Sequence, residues 1–344
     1  MKVNTVKGQI QSDDLGITLS HEHILFSYNF FFYESPLNSL KKYAYKNVEM
    51  EDIHILKVNP YISQDNLNLS DIDDAIKEVN FFKRAGGNTL VSVTPPGLGR
   101  DVKGLRAISE VTNVNIIAST GWYFAQSHPH YVKKLTYEDL GNIMLKEITE
   151  GIDGTDIKAG NIKCAVSEPL HPDEKKILKA LSIAQSATGA SITLHPAVQY
   201  RKVLDYIDIL QKENVDLTNF YMSHMDLVYP THDMNYIKSV LDTGVTINFD
   251  TFGFEMYIGD AFPGCDVITD KERIQTLVKL CELGYDKQIM VSQDNHMKIH
   301  MRSYGGYGYG HILEHIIPQL RQRGVSKKQI ENILINNPKR LFSF

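Results

Sequence analysis

The segment GITLSHEH (16–23) sets His21 and His23 one residue apart at the end of an apolar, β-leaning run. On a strand, residues i and i+2 share a face, so both imidazoles project from one side of one element. Such a pair can ligate a metal or form a hydrogen-bonded core pair, and the spacing alone leaves both readings open. Other residues of ligating type follow: Lys163 in NIKCAVSE (161–168), His195 in SITLHP (191–196), His224 in TNFYMSHMD (218–226) and Asp294 in KQIMVSQDN (287–295). Each alone has an ordinary reading, as a core histidine, a helix cap or a lysine at a strand boundary. Together they describe a two-metal site, with four neutral imidazoles, one terminal carboxylate and an anion to bridge the ions. A lysine cannot bridge two cations as it stands. An amine held beside divalent metals has its pKa lowered, because the charged form is disfavoured there. The neutral amine can add carbon dioxide, and the resulting carbamate offers one oxygen to each of two ions about 3.5–4 Å apart.

These residues must be brought together by the elements that carry them. Short β-rich runs recur at 17–25, 88–95, 114–122, 161–168, 191–196, 218–226, 245–253 and 287–295. Helical patterns separate them, several closing on glycine, a common helix stop. Strand–helix alternation predicts parallel βαβ units, and eight of them predict a closed (β/α)8 TIM barrel of the α/β class. In such a barrel the catalytic groups lie at the C-terminal ends of the strands. Strand one ends at His21 and His23, strand four carries Lys163, strand five ends at His195, strand six at His224 and strand eight at Asp294. No linker divides the chain, so residues 1–344 read as one barrel domain. Residues 29–70 lack a clean period and are too long for a plain connection, which predicts a structured excursion near the barrel mouth. The aromatic run Phe30, Phe31, Phe32 and Tyr33 reads as packing.

The bulk numbers agree with an enzyme of this kind. The chain has 344 residues, 42% hydrophobic and 22% charged, with a formal net charge of −5. There is no basic stripe of the sort that tracks phosphates, so no nucleic-acid partner is expected. Cys164, Cys265 and Cys281 show no C-x-x-C spacing, which favours a reducing compartment over a disulfide scaffold. The N-terminal residues show no apolar h-region and no run approaches eighteen apolar residues, so neither a signal peptide nor a membrane span is expected. The expectation is a cytoplasmic enzyme.

The segments GITLSHEHIL, GRD (99–101), TGWY (120–123), IKAGNIK (157–163), ATGASITLHPA (187–197), SHMD (223–226), FDTFG (249–253), VSQD (291–294) and GGYGYGHILEHIIPQLRQRGVS (305–326) resemble the phosphotriesterase family of the amidohydrolase superfamily. That resemblance runs from about residue 7 to the C-terminus, apart from 29–70. It implies a distorted (β/α)8 barrel with two divalent metal ions, usually zinc; manganese, cobalt or nickel suit the same ligands. By resemblance His21, His23 and Asp294 hold the more buried ion and His195 and His224 the more exposed one. Lys163, as N6-carboxylysine, bridges both; some relatives carry Glu there. The implied activity is hydrolysis by a metal-bridging hydroxide, with Asp294 passing its proton to the leaving group.

Three substrate classes follow from the resemblance: phosphotriesters, N-acyl homoserine lactones, and other lactones including phosphorylated sugar lactones. The loop after strand eight, NHMKIHMRSYGG (295–306), is short and carries Lys298, Arg302 and Tyr304. Lysine and arginine at a barrel mouth match a phosphate. The expected substrate is therefore a small anionic lactone, a pentono-1,4-lactone bearing phosphate. A phosphotriesterase, a carboxylesterase or an N-acyl homoserine lactonase is the alternative. A non-catalytic binding barrel is a more distant one, because the ligand set is intact. The resemblance also gives Tyr123 a role in orienting substrate and makes a homodimer the family habit. Trp122 reads as packing, Arg100 and Asp101 as supports of the loop after strand two, and His128 and His130 as loop residues. His311 and His315 read as surface or packing, and Cys164 as buried and inert.

Overall fold

The structure is a computed structural model that describes residues 1–228, 233–259 and 261–344. Eight parallel strands form one sheet: β1 (Thr18–Glu22), β2 (Thr89–Ser92), β3 (Asn115–Gly121), β4 (Asn161–Ala165), β5 (Ile192–His195), β6 (Phe220–Met222), β7 (Thr246–Phe249) and β8 (Ile289–Val291). They neighbour one another in sequence order from β1 to β8. Nearly every residue in them is buried, because parallel strands in a barrel are covered on both faces. That double burial is why they read in the sequence as apolar runs rather than as alternating ones.

The helices between them are α1 (Ile72–Arg84), α2 (Val102–Thr112), α3 (Tyr137–Thr149), α4 (Pro172–Thr188), α5 (Val203–Lys212), α6 (Met234–Leu241) and α7 (Asp270–Glu282). Their starts are chemically marked. Asp71 and Asp101 accept from backbone N–H groups in the first turns of α1 and α2, and Thr136 and Thr269 form capping boxes at α3 and α7. Asp101 thus anchors the loop after β2, as expected. Arg100 beside it makes a bidentate pair with Glu147 at 2.7 Å to each oxygen. No helix among the described residues is long and apolar enough to cross a membrane.

Val91, Val93, Ile117, Tyr221 and Met290 form a plug with Val3, Leu15, Leu341 and Phe342. Val3 belongs to an N-terminal hairpin, Lys2–Thr5 with Gly8–Gln11. Where β8 meets β1 the described strands pair in no ladder, and the barrel is closed by side-chain hydrogen bonds and one backbone bond. The backbone N–H of His21 donates to Ser292 Oγ at 3.0 Å, and that of Asp294 to His21 O at 3.1 Å. Buried Glu22 accepts from Ser292 Oγ, Gln293 N and Asn295 N at 2.7, 2.8 and 3.0 Å. The pairing of β1 with β2 slips between Leu19 and Glu22, a bulge at the strand that carries the first histidines.

The excursion after β1 is clamped at its base by a short antiparallel pair, Phe26–Ser27 with Asn68–Leu69. Between them lie short helical turns instead of a regular element. Its aromatics do pack: Phe31 stands 5.7 Å from Tyr61 and 5.5 Å from Phe262, ring centre to ring centre.

Candidate active site at the barrel mouth

His21, His23, Lys163, His195, His224 and Asp294 line one cavity of about 510 Å³ of empty space. His21 Nε2 lies 3.3 Å from Lys163 Nζ and 3.6 Å from Asp294 Oδ1. His23 Nε2 lies 3.3 Å from the same Asp294 oxygen. The rings of His21 and His224 are 4.7 Å apart, and those of His224 and His195 4.3 Å. His224 and Asp294 are among the few non-glycine residues with positive φ, +57° and +50°. Such backbone is costly and persists only where the surroundings impose it, as at functional sites.

The backs of the rings are held too. His23 Nδ1 meets Thr94 Oγ1 at 2.8 Å. His21 Nδ1 meets Ser223 Oγ at 3.1 Å and Asp250 Oδ2 at 3.0 Å. Asp250 Oδ1 lies 2.7 Å from His224 Nδ1 and accepts the His224 backbone N–H at 2.9 Å. The contact with the His224 ring is short but not aligned with an N–H direction, so that Nδ1 completes no directed hydrogen bond. Tyr123 Oη lies 3.4 Å from both ring nitrogens of His195 and 3.0 Å from Tyr28 Oη.

Burial sets the protonation. It holds the imidazoles of His21 and His195 well below the usual range and that of His23 down to about 4. These rings are neutral at pH 7 and able to offer a lone pair. At His224 burial also opposes the charge, but Asp250 outweighs it and the pKa rises. Burial pushes Asp294 up, yet His296, His23 and His21 together bring it well below the usual carboxylate range. Lys163 is 1% exposed, and burial lowers its amine to about 8. No carboxylate among the described residues pairs with it. A neutral amine is therefore within reach near neutral pH, as carbamate formation requires.

The donor set fits a metal. Ligand atoms of His21, His224 and Asp294 lie within 4.8 Å of one another. His224 Nε2 is buried and accepts or donates no hydrogen bond. An unmet polar atom in the interior costs about 1–3 kcal/mol, a cost removed when an ion takes its lone pair.

The rest of the cavity is mostly apolar, with walls that include Phe26, Leu98, Val198, Leu227, Ile258 and Phe262. Tyr123 lines it, as the sequence reading expects. Lys298, Arg302 and Tyr304 do not, and this corrects their placement at the substrate. Lys298 Nζ is bound to Asp65 Oδ1 at 2.7 Å in a separate cavity. Arg302 pairs with Glu314 at 3.3 Å, and Tyr304 Oη donates to Asp74 at 3.3 Å. Lys298 and Tyr304 find partners 233 and 230 residues away in sequence, and Arg302 finds one 12 residues on. Among the described lining residues, Lys163 is the one Lys or Arg.

The other sequence readings sort plainly. Trp122 and Cys164 are buried. His128 Nε2 donates to Tyr123 O at 2.8 Å in the loop after β3. His311 is buried against Asp270 at 2.6 Å, while His315 is exposed. Three polar cavity residues escaped the sequence reading. Tyr28 stands just before the aperiodic stretch 29–70 and Tyr61 within it, and His296 stands two positions after Asp294, its Nδ1 donating to Asp294 O at 2.6 Å. Asp250 escaped as well, although FDTFG was among the quoted segments; nothing local marks it as the partner of residues on β1 and β6.

A parallel (β/α)8 barrel with neutral imidazoles and carboxylates gathered at its C-terminal mouth is the plan of a metal-assisted hydrolase. The chain belongs to the phosphotriesterase family, whose sequence pattern matches residues 1–342, and it is a hydrolase of that family. It is 34% identical to an N-acetyltaurine hydrolase of Danio rerio, covering 100% of this chain and 98% of that one. It is 36% identical to a phosphotriesterase-related protein of Nematostella vectensis, covering 99% and 98%. The crystal structure of a resiniferatoxin-binding protein from Rhodobacter sphaeroides superposes with a TM-score of 0.94 at 31% identity, covering 99% of this chain and 95% of that one.

Proposed function

We propose that the chain is a two-metal hydrolase of a small carboxylic-acid derivative, with an N-acyl amide of the N-acetyltaurine kind as substrate. The carrying observation is the convergence of six ligating side chains on the floor of a mostly apolar cavity. His21, His23 and Asp294 would hold one ion, His195 and His224 the other, and Lys163 as carbamate would bridge them. Two such ions would activate water and polarise the acyl oxygen. Asp294, beside His21 and His23, is placed to hold the proton released and return it to the departing group. The apolar wall of Leu98, Val198, Leu227 and Ile258 suits an acyl side and excludes bulk water. Zinc is the leading metal, with manganese, cobalt or nickel as substitutes, and the reading keeps one barrel domain acting in the cytoplasm.

The amide class is supported by the names of the similar chains. A small lactone is the second reading, favoured by Tyr123 beside His195, where a hydroxyl can orient a ring carbonyl. A phosphate is not required of the proposed substrate, because Lys298 and Arg302 are bound elsewhere, and an anionic tail such as a sulfonate would meet no Lys or Arg besides Lys163 among the described lining residues. The test is a hydrolysis panel on metal-loaded protein: N-acetyltaurine, pentono-lactones with and without 5-phosphate, an acyl homoserine lactone and an aryl phosphotriester. Preference for the amide supports the leading reading, and preference for unphosphorylated lactones the second. Activity confined to the phosphotriester or to phosphorylated lactones contradicts both.

A further inference from the structure

Asp250 is 0% exposed and lies behind the cluster rather than in the cavity. Its two oxygens approach two different histidines at ion-pair distance, neither contact completing a directed hydrogen bond. Oδ2 is 3.0 Å from His21 Nδ1, and Oδ1 is 2.7 Å from His224 Nδ1. On the front, His21 Nε2 faces Lys163 and Asp294. A carboxylate behind an imidazole fixes which nitrogen carries the proton and which is left to bind a metal. Asp294 meets His21 and His23 from the front, through Nε2; among the described residues Asp250 is the one that reaches the Nδ1 side of two of these rings. His23 rests on Thr94, and His195 meets Tyr123.

Asp250 is itself fixed. Its backbone N–H donates to Asp226 Oδ1 at 3.2 Å. Asp226 Oδ2 takes the Thr251 backbone N–H at 3.1 Å and Arg273 Nε at 2.7 Å. Arg273 and Asp226 are both 0% exposed, and Arg273 Nη1 continues to Asp270 at 3.1 Å. This buried ion pair, anchored on α7, holds the end of β7 where Asp250 projects.

We infer that Asp250 is a positioning residue shared by the two metal positions, holding His21 for one ion and His224 for the other, so that both positions depend on it together. The inference rests on the two-metal reading above. It predicts a distinction between two supports of similar size. Asp250→Asn weakens both ions, by about 10–100-fold each, the usual effect of losing such an outer partner. Thr94→Val, behind His23 alone, weakens one.

The experiment is equilibrium dialysis of purified wild type, Asp250→Asn and Thr94→Val against graded free Zn²⁺, with bound zinc counted per chain and melting followed with and without metal. The expected result is two ions on wild type, parallel weakening of both in Asp250→Asn, and weakening of one in Thr94→Val. The melting temperature of metal-free Asp250→Asn should stay near that of metal-free wild type, with most of the metal-induced rise gone. Two tight ions on Asp250→Asn, or loss of only one, overturns the inference while leaving the two-metal reading in place. A wild type that takes up no zinc overturns that reading and the inference with it. Should Asp250→Asn fail to fold, ¹⁵N spectra of histidine-labelled zinc-loaded wild type decide. His21 and His224 protonated at Nδ1 and ligated at Nε2 support the inference, and ligation through Nδ1 at either overturns it.

Discussion

Two cavities flank the end of β1, and their chemistry is opposite. The first holds the imidazoles of His21, His23 and His195, kept neutral by burial, with His224 and a depressed lysine, within mostly apolar walls. The second is lined by Asp65, Asp71, Asp74 and Glu78 with Lys298 and Tyr304. Tyr309, on the second cavity's wall, donates to the backbone oxygen of His23 at 2.6 Å and so stands between the two. The basic loop after β8 could have served either cavity. Lys298 went to the one lined by carboxylates, and Arg302 went to Glu314 and, through its backbone N–H, to Glu78. An ion pair is made where the opposite charge lies, and among its described lining residues the first cavity has no Lys or Arg besides Lys163.

The comparison can be broken most severely on the first side. Lys163→Met should lower kcat/KM by about 10³-fold or more, since it removes the anionic bridge on which several kcal/mol of charge stabilisation would depend. The fold should survive, because Lys163 already sits among buried neighbours and methionine fills similar space. Steady-state kinetics with far-UV and near-UV circular dichroism check both halves. Tyr123→Phe should cost about 10-fold, mostly in KM, with bound metal unchanged, since one hydroxyl hydrogen bond is lost.

Protonation sharpens the same side. Carbamate formation needs the neutral Lys163 amine. Its folded-state pKa of about 8 lies below the usual value of 10.5, so the ammonium dominates below about pH 8 and the free amine above it. At constant dissolved carbon dioxide, reactivation of metal-stripped protein by carbon dioxide and zinc should therefore quicken as pH rises from 7 and level off above about 8. A rate that falls across that window would contradict the assignment.

On the second side the effects are small. Lys298→Ala with Arg302→Ala should leave kcat/KM within about 3-fold on any active substrate, phosphorylated or not, and cost stability by about 1 kcal/mol or less per pair. Urea unfolding and the substrate panel check this. A steep, phosphate-selective loss would return these residues to the substrate.

Much of this was legible in the sequence, for identifiable reasons. Each barrel strand is an apolar run because it is buried on both faces, and the polar residues ending those runs stand out. His21, His23, His195, His224 and Asp294 were visible in that way, and Lys163 by its oddity inside a strand. The excursion was visible only as an exception. It has no period because it folds as short turns, so nothing announced that Tyr28 and Tyr61 would reach the cavity. Lys298 was misplaced for another reason: its partner Asp65 is 233 residues away in sequence. A local reading sees the cation but not the carboxylate that claims it. Asp250 was hidden in the same way, since its histidines stand on β1 and β6.

The central claim is that six side chains hold two metal ions across a carboxylated Lys163. The most direct measurement is metal content by mass spectrometry together with a ¹³C spectrum of protein loaded with zinc and ¹³C-bicarbonate, for wild type and Lys163→Met. The account predicts two ions per chain and a carbamate resonance in wild type, with the resonance absent and the metal content reduced in the variant. An unmodified lysine in fully active protein, or two ions retained by Lys163→Met, would contradict it.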